Sequence, residues 1–256
     1  MFEKIKKNVS FAITLHKKSY LQSLKDAPTS TPSIWSKIYY KQYPRFPAFL
    51  LPTENKLPKR DFFASIIRRT SSRDYKGQPI DISVLSQLLF ISAGISKIDT
   101  KSSVHKRTYP SGGARYPLEL YPIILKGSSG LIEGIYHYNV KFHSLELLKK
   151  ERLIDQVKDL TGKINEKVIE NCSVLLVITA VFNRNEIKYG NRSYRYTLLE
   201  CGHLAQNFCL TATALDLECC SIGGFLDNGL NKLMLLDDRK EQSLYLIALG
   251  KANKTK

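Results

Sequence analysis

From Asp61 onward the apolar positions of this chain recur at spacings that assign elements one by one. Phe62, Phe63, Ile66 and Ile67 are spaced for a helix ending near Arg69. Ser83 to Ala93 reads as a second helix, apolar at Val84, Leu85, Leu88, Leu89 and Ile91, with Gly94 as its C-cap. Leu118 to Lys126 is a strand, and Gly134 to Val140 with Ser144 to Lys149 form a hairpin around Lys141-Phe-His. Leu153 to Ile169 is an amphipathic helical region broken near Gly162. Val174 to Val181 shows little alternation, the pattern of a strand buried on both faces. Thr197 to Leu217 is the longest helical pattern, with Leu198, Cys201, Leu204, Ala205, Phe208, Ala212 and Leu215 on one stripe. Such a stripe suits either a core or a subunit interface. Leu244 to Leu249 is a last strand before Gly250. Helices and strands mix without internal repeats or a steady βαβ alternation, so the pattern predicts an α+β fold.

Residues 1–60 follow another rule. They carry six of the ten prolines and the only tryptophan, Trp35. Ile34-Trp-Ser-Lys-Ile-Tyr-Tyr and Phe46-Pro-Ala-Phe-Leu-Leu-Pro hold too much apolar surface to stay wet. Proline fixes φ and removes a donor, which suits a segment packed through side chains. The expectation is an extended N-terminal arm over residues 1–60, draped on a main domain of residues 61–256.

Composition changes this picture in three places. The net charge is +16, yet residues 1–60 hold twelve Lys/Arg against three Asp/Glu, so +9 of it lies in the first quarter. The rest is spread without long basic runs or a basic helix face, which predicts weak polyanion attraction at low salt and no specific nucleic acid. Five cysteines (Cys172, Cys201, Cys209, Cys219, Cys220) lack C-x-x-C spacing and read as reduced, mostly buried thiols. For the vicinal Cys219-Cys220 pair, redox activity competes with a strand alternating its side chains between two faces. The amino-terminal apolar run lacks a small-residue cleavage site and no run reaches transmembrane length, so a soluble, cytoplasmic protein is expected.

Four segments carry candidate chemistry. Arg68-Arg69-Thr-Ser-Ser-Arg-Asp-Tyr75, at a helix end, offers guanidinium forks and hydroxyls for an anion, or is a plain polar turn. Pro110-Ser-Gly-Gly-Ala-Arg-Tyr-Pro117 and Ile222-Gly-Gly-Phe225 each place adjacent glycines where backbone can approach a flat ligand or simply turn. Neither contains a G-x-G-x-x-G or a Walker sequence. Lys188-Tyr-Gly-Asn-Arg-Ser-Tyr-Arg-Tyr196 holds three cations and three tyrosines with no carboxylate, between a buried strand and the long helical pattern. It reads either as a solvated basic connector or as a proton-transfer segment in which Lys188 lowers the pKa of Tyr189 from about 10. No histidine accompanies a nucleophile motif and the acidic residues form no metal cluster, which disfavours hydrolase and metalloenzyme chemistry.

Taken in order, these motifs together with Gly134-Ile-Tyr-His-Tyr138, Glu200-Cys-Gly-His-Leu-Ala-Gln-Asn207 and Ala248-Leu-Gly250 resemble one family. It is the SagB/ThcOx-type dehydrogenases, a branch of the nitroreductase-like FMN flavoproteins. The likeness covers about residues 61–250, and Lys41-Gln-Tyr-Pro to Leu51-Pro52 also resembles the family's amino-terminal arm. It implies a nitroreductase-like α+β fold, with a mixed central sheet flanked by helices, and a homodimer binding FMN at the subunit interface. By position, Arg69, Thr70, Ser71 and Arg73 would hold the phosphate and ribityl chain. Pro110, Ser111, Gly112 and Gly113 would line the isoalloxazine, and Gly223 and Gly224 would offer N–H groups toward N5. Lys188 and Tyr189 match the family's catalytic Lys-Tyr pair. Thr70 stands where a further arginine is frequent, and Arg115 lies inside the glycine motif. The family oxidises thiazolines and oxazolines in ribosomal peptides after a separate cyclodehydratase makes them. The resemblance therefore implies a peptide substrate and a cyclodehydratase complex as partners, with no metal. Reductases of the same fold, or a non-catalytic subunit, are the alternatives.

Overall fold

The computed structural model describes residues 11–21, 23, 33, 40–53, 60–99 and 104–253. Trp35 and most of residues 1–60 lie outside the described residues. Nine strands are present among them: β1 (Ala48–Leu50), β2 (Ile95–Asp99), β3 (Val104–Arg107), β4 (Leu118–Ile124), β5 (Gly134–Asn139), β6 (Ser144–Lys149), β7 (Val174–Ala180), β8 (Leu217–Ile222) and β9 (Gln242–Lys251). The helices are α1 (residues 11–18), α2 (Phe62–Arg68), α3 (Ile82–Ala93), α4 (Ile154–Thr161), α5 (Glu166–Asn171), α6 (Asn183–Tyr189), α7 (Arg192–Ala214) and α8 (Asp227–Leu233). Among the described residues no helix is long and apolar enough to cross a membrane.

Seven strands form one sheet in the order β1-β6-β5-β4-β7-β9-β8. The fold is α+β as expected, but the sheet is more uniform than a mixed one. Its recorded pairings are all antiparallel. The reason lies in β9. The chain passes from β7 through α6 and α7 to β8, which runs parallel to β7, and β9 then inserts between the two, antiparallel to both. A parallel crossover is thus split by a later strand.

Side chains alternate between two cores. Leu118, Leu120, Leu176, Ile178, Ile247 and Leu249 pack with Leu88 of α3 and Leu204 and Phe208 of α7. Tyr121, Ile123, Leu175, Val177, Leu246 and Ala248 pack on the other face with Val157, Ile169 and Leu230 from α4, α5 and α8. Helices on both faces explain why Val174 to Val181 shows so little polar alternation. The same alternation divides the vicinal thiols, Cys219 into the first core and Cys220 into the second. The closest thiol to Cys219 is instead Cys209 of α7, 3.6 Å away.

Several sequence expectations need changing. The hairpin, the break at Gly162 and the strands β4, β7 and β9 stand where the pattern puts them, whereas β1, the β2–β3 hairpin and α8 were not foreseen. The long helix begins at Arg192 and ends at Ala214, not at Thr197 and Leu217. Lys188 to Tyr196 is consequently no connector. It is the last turn of α6, a break at Gly190, and the first turn of α7. Gly190 adopts φ +50, a left-handed conformation that a side chain would strain, and this is what separates two helices whose propensities alone do not.

A buried polar cluster anchors the sheet. His137, wholly buried on β5, meets Glu146 Oε2 through Nδ1 at 2.7 Å and Glu119 Oε2 through Nε2 at 3.1 Å. Asn139 donates to Glu146 Oε1 at 2.8 Å, and Arg184 of α6 pairs with Glu119 Oε1. Burial acts against the imidazolium, but the bonds to Glu119 and Glu146 outweigh it and raise its proton affinity. Glu119 is held far below the usual carboxylate range: burial opposes this, and the charge of Arg184 with the bond to His137 overcomes it. Beside this cluster, Lys41 pairs with buried Glu241, and Tyr43 bonds Tyr121 at 3.0 Å. Residues 40–53 are thereby fastened to the body, with Leu51 in the core.

Candidate functional site

Arg184 does a second thing. Its Nη1 donates to the carbonyl of Tyr116 at 2.8 Å, so α6 is pinned both to the sheet and to the turn that carries the first glycine pair. Within that turn, Ser111 Oγ accepts from Tyr116 N at 2.8 Å, and Arg115 Nε donates to Gly113 O at 3.0 Å. Gly113, Ala114 and Tyr116 all take positive φ (63, 53 and 49). Three such residues in four mark a strained turn, and Gly113 is the one position where that costs little.

The turn meets the helices at Gly112. A Cβ built there would lie 3.6 Å from Glu200 Oε1, 3.7 Å from Tyr189 Cε2 and 3.8 Å from Tyr196 Cδ2. Tyr189 and Tyr196 pack edge to face with centroids 5.1 Å apart. The structure thus brings Gly112, in the turn with Ser111 and Gly113, against Tyr189. Pro110 lies exposed at the rim.

Lys188 sits beside Tyr189 at the end of α6. Its Nζ lies over the face of the Tyr189 ring, 5.6 Å from the centroid. Tyr189 is raised above its ordinary value, first by burial and then by Tyr196 and Glu200, and the cation acting to lower it is Arg115. The expected lowering of Tyr189 by Lys188 is therefore replaced by a net rise.

The other predicted residues assemble around β8. Arg69 caps α2, its N–H bonded to Ser65 O, and is half-buried; Thr70, Ser71 and Arg73 are exposed. The N–H of Ser72 donates to Cys219 O at 3.0 Å, laying this segment along β8, whose end leads into exposed Gly223 and Gly224. Arg69 acts electrostatically on Cys209 and Cys219, and Arg73 on Cys220. The bond with Cys209, and then burial, hold the Cys219 thiol well up. Neither arginine forms an ion pair among the described residues. Cys209 and Glu200 are both on α7, about 13 Å apart along its axis at 1.5 Å per residue. On one chain, then, the predicted residues form two groups. One is Ser111–Gly113 with Lys188 and Tyr189; the other is Arg69–Arg73 with Gly223 and Gly224.

One functional candidate was missed from the sequence, namely Glu200. It is only 4% exposed and belongs to the buried face of α7 with Thr197, Cys201 and Leu204. A carboxylate on an apolar helical stripe is itself the signal that was available. Its Oε1 accepts from Gly112 N at 2.8 Å and from Asn185 Nδ2 at 3.4 Å. Burial pushes its carboxyl up to about 7; the Gly112 N–H, the Ser111 hydroxyl and the Asn185 amide act in the opposite direction.

Residues 66–251 match the model of the Nitroreductase family, and the chain belongs to that family. It is 33% identical over 186 residues to the nitroreductase-family protein MJ1384 of Methanocaldococcus jannaschii, covering 73% of this chain and 88% of that one. It is 30% identical over 154 residues to the microcin B17-processing protein McbC of Escherichia coli, covering 59% of this chain and 56% of McbC. A trifolitoxin-processing protein, TfxB of Rhizobium leguminosarum, is 27% identical over 147 residues, 55% of this chain and 39% of TfxB. The chain thus matches about half the length of McbC and less of TfxB. Among solved structures, a nitroreductase of Anabaena variabilis superposes with a TM-score of 0.74 at 24% identity, over 93% of this chain and 45% of that one. The E. coli microcin synthetase complex McbBCD, solved with truncated pro-MccB17 bound, contains a chain that superposes with a TM-score of 0.62 at 22% identity, over 97% and 94% of the two chains. These likenesses show a nitroreductase-like oxidoreductase fold related to peptide-processing proteins.

Proposed function

We propose that this protein is an FMN-dependent dehydrogenase that oxidises thiazoline or oxazoline rings to thiazoles or oxazoles in a ribosomally made peptide. The observation that carries the reading is the meeting of Tyr189 with the Gly112 turn, a phenol held against exposed-backbone residues at the end of α6. The relatives McbC and TfxB, both named for processing of peptides, support a peptide substrate and a place in a synthetase complex.

The donor set fits FMN. Arg69 and Arg73 carry no ion pair among the described residues and stand beside the Thr70 and Ser71 hydroxyls, a set that suits a phosphate monoester. Gly223 and Gly224 are exposed, and a Cβ at Gly224 would meet nothing within 4 Å, leaving backbone open to a flat ring. When bound, FMN supplies the two-electron acceptor that takes the hydride released on aromatisation. The separation of the two residue groups on one chain fits a cofactor shared by two subunits. Exposed apolar residues on the neighbouring α2 and α7 supply a surface for a homodimer: Phe62 (60%), Phe63 (70%), Ile67 (82%) and Leu199 (54%).

The chain's own work is to orient the azoline and to manage its proton. Tyr189 is the candidate base: once its own proton has passed to solvent, the phenolate oxygen takes the ring proton, with Tyr196 and Gly112 packed against the ring. Lys188, over the ring face, holds it by a cation–π contact. The test is Tyr189→Phe in the FMN-loaded protein, assayed on an azoline-containing peptide. Oxidation should fall by about 100-fold or more, the range for a lost general base, with the flavin absorbance retained. Undiminished azoline oxidation in Tyr189→Phe sinks the assignment. Nicotinamide-driven nitro reduction that survives it, with no azoline oxidation by the parent, would favour the outward-reducing alternative that the family match keeps open.

A further inference from the structure

Glu200 is a costly residue for a structural role. It is buried on the core face of α7, and no ion pair among the described residues closes on it. Six buried side-chain atoms lack a hydrogen-bond partner among the described residues, and three sit together here: Glu200 Oε2, Asn185 Oδ1 and Thr197 Oγ1. Asn185 reaches Glu200 directly, and Thr197 lies one turn before it on the same helix face. An ionised carboxylate brings only acceptors to such a cluster, whereas a protonated one brings a donor. The Gly112 N–H fills Oε1, so Oε2 is the oxygen left to carry a proton.

The charged and titratable groups facing this carboxyl come from three elements. Arg107 of β3 and Tyr109 just after it act on Glu200 through charge, as does Tyr189 of α6. Tyr196 of α7 faces it across Gly112, while Arg115 acts on Tyr189. Arg107 already bonds the Tyr109 hydroxyl at 3.3 Å and stacks on Tyr116, so it is not committed to Glu200.

From this geometry we infer that Glu200 is the positioning residue of the site: its carboxyl holds the Gly112 turn against α6, and the proton it keeps or releases sets the charge that Tyr189 faces. This rests on the assignment of Tyr189 above. Two acids flanking one glycine resist ionising together. With Glu200 protonated, Tyr189 faces a neutral neighbour; with Glu200 ionised, the negative charge holds the phenol proton in place. The burial that lifts Glu200 to about 7 puts this exchange near neutral pH.

The experiment compares Glu200→Gln, Glu200→Leu and the parent, each with and without Tyr189→Phe, as full-length protein. Glu200→Gln keeps an acceptor for Gly112 but never titrates. Infrared difference spectra of the protein without substrate should show a protonated carboxyl band at pH 5.5 that bleaches through about pH 7 and is missing in Glu200→Gln. Phenolate absorbance, taken as the difference from each Tyr189→Phe partner, should place Tyr189 ionisation about one pH unit lower in Glu200→Gln than in the parent. Glu200→Leu, which cannot anchor Gly112, should weaken FMN binding about tenfold relative to Glu200→Gln. The inference is overturned by a parent without the carboxyl band, by an unmoved phenolate titration, or by Glu200→Leu binding FMN like Glu200→Gln. Loss of azoline oxidation in the parent, with band and phenolate shift present, would instead bring down the dehydrogenase reading and leave Glu200 in place.

Discussion

Two buried carboxylate clusters lie at opposite ends of the Arg184–Asn185 dipeptide, and they are built to opposite specifications. Around His137 every carboxylate oxygen is used: Glu119 takes Arg184 and His137, and Glu146 takes His137 and Asn139. Around Glu200 the carboxyl has one strong backbone donor, one long amide contact and the Ser111 hydroxyl acting on it, while its own Oε2 and the neighbouring Asn185 Oδ1 and Thr197 Oγ1 have no hydrogen-bond partner among the described residues. In the first cluster, charge partners overcome burial and hold carboxylates ionised; in the second, burial wins. A complete buried network makes a rigid anchor. An incomplete one keeps a titratable group near neutral pH, the property that a proton-handling site needs. The chain uses the first to aim the helix that carries the second, because Arg184 and Tyr189 share α6.

The largest effect should come from breaking the complete cluster. His137→Ala leaves Glu119 and Glu146 buried without their shared cation, and urea denaturation should register a loss of roughly 3–5 kcal/mol. The pH dependence has a definite sign. His137 has a raised folded-state value, so its contribution is full below its ordinary value and fades as pH rises through the raised one. Glu119 and Glu146 have lowered values, so theirs is present above the ordinary carboxyl range and is lost on acidification. The anchor is therefore strongest in mildly acidic to neutral solution, and a stability–pH curve for His137→Ala should be flatter on both sides.

A smaller effect, of opposite sign, should follow from relieving the incomplete cluster. Glu200 titrates near 7 when folded and near the ordinary carboxyl value when unfolded, so stability is lost as pH rises between the two. Glu200→Gln should stabilise the fold at pH 8 by up to roughly 3 kcal/mol and leave it little changed at pH 4. Thermal melts at the two pH values check this, and equal shifts at both would contradict it. The smallest effect separates two cations. Arg115→Met should move Tyr189 ionisation further up, and Lys188→Met should move it less, since Arg115 is the cation acting on the phenol. Phenolate titration of the pair decides between them.

Legibility differed sharply between the sheet and the site. Period-two and period-3.6 patterns placed β4 to β7, β9, α3 and the broken α4–α5 region because each buries a face against the same central layer. The short pieces escaped: β1 has three residues, and the β2–β3 strands pair only with each other at the periphery. The start of α7 escaped because Arg192, Tyr194 and Arg195 read as a solvated basic loop. In the structure Arg192 donates to Ser19 O and Arg195 to Ser19 Oγ, so part of that charge holds the segment after α1.

By itself the sequence determined the α+β layering, the two glycine turns, the basic hydroxyl-bearing segment and the cationic, tyrosine-rich stretch around Tyr189, since each rests on local spacing or residue type. Tertiary structure alone decided which cation addresses that tyrosine and which carboxyl stands beside it. Lys188 is adjacent in sequence yet lies over the ring face, while Arg115 and Glu200 arrive from a distant turn and the next helix. Electrostatics and burial depend on distance in space, and a linear chain carries that information only after β4, α6 and α7 have packed.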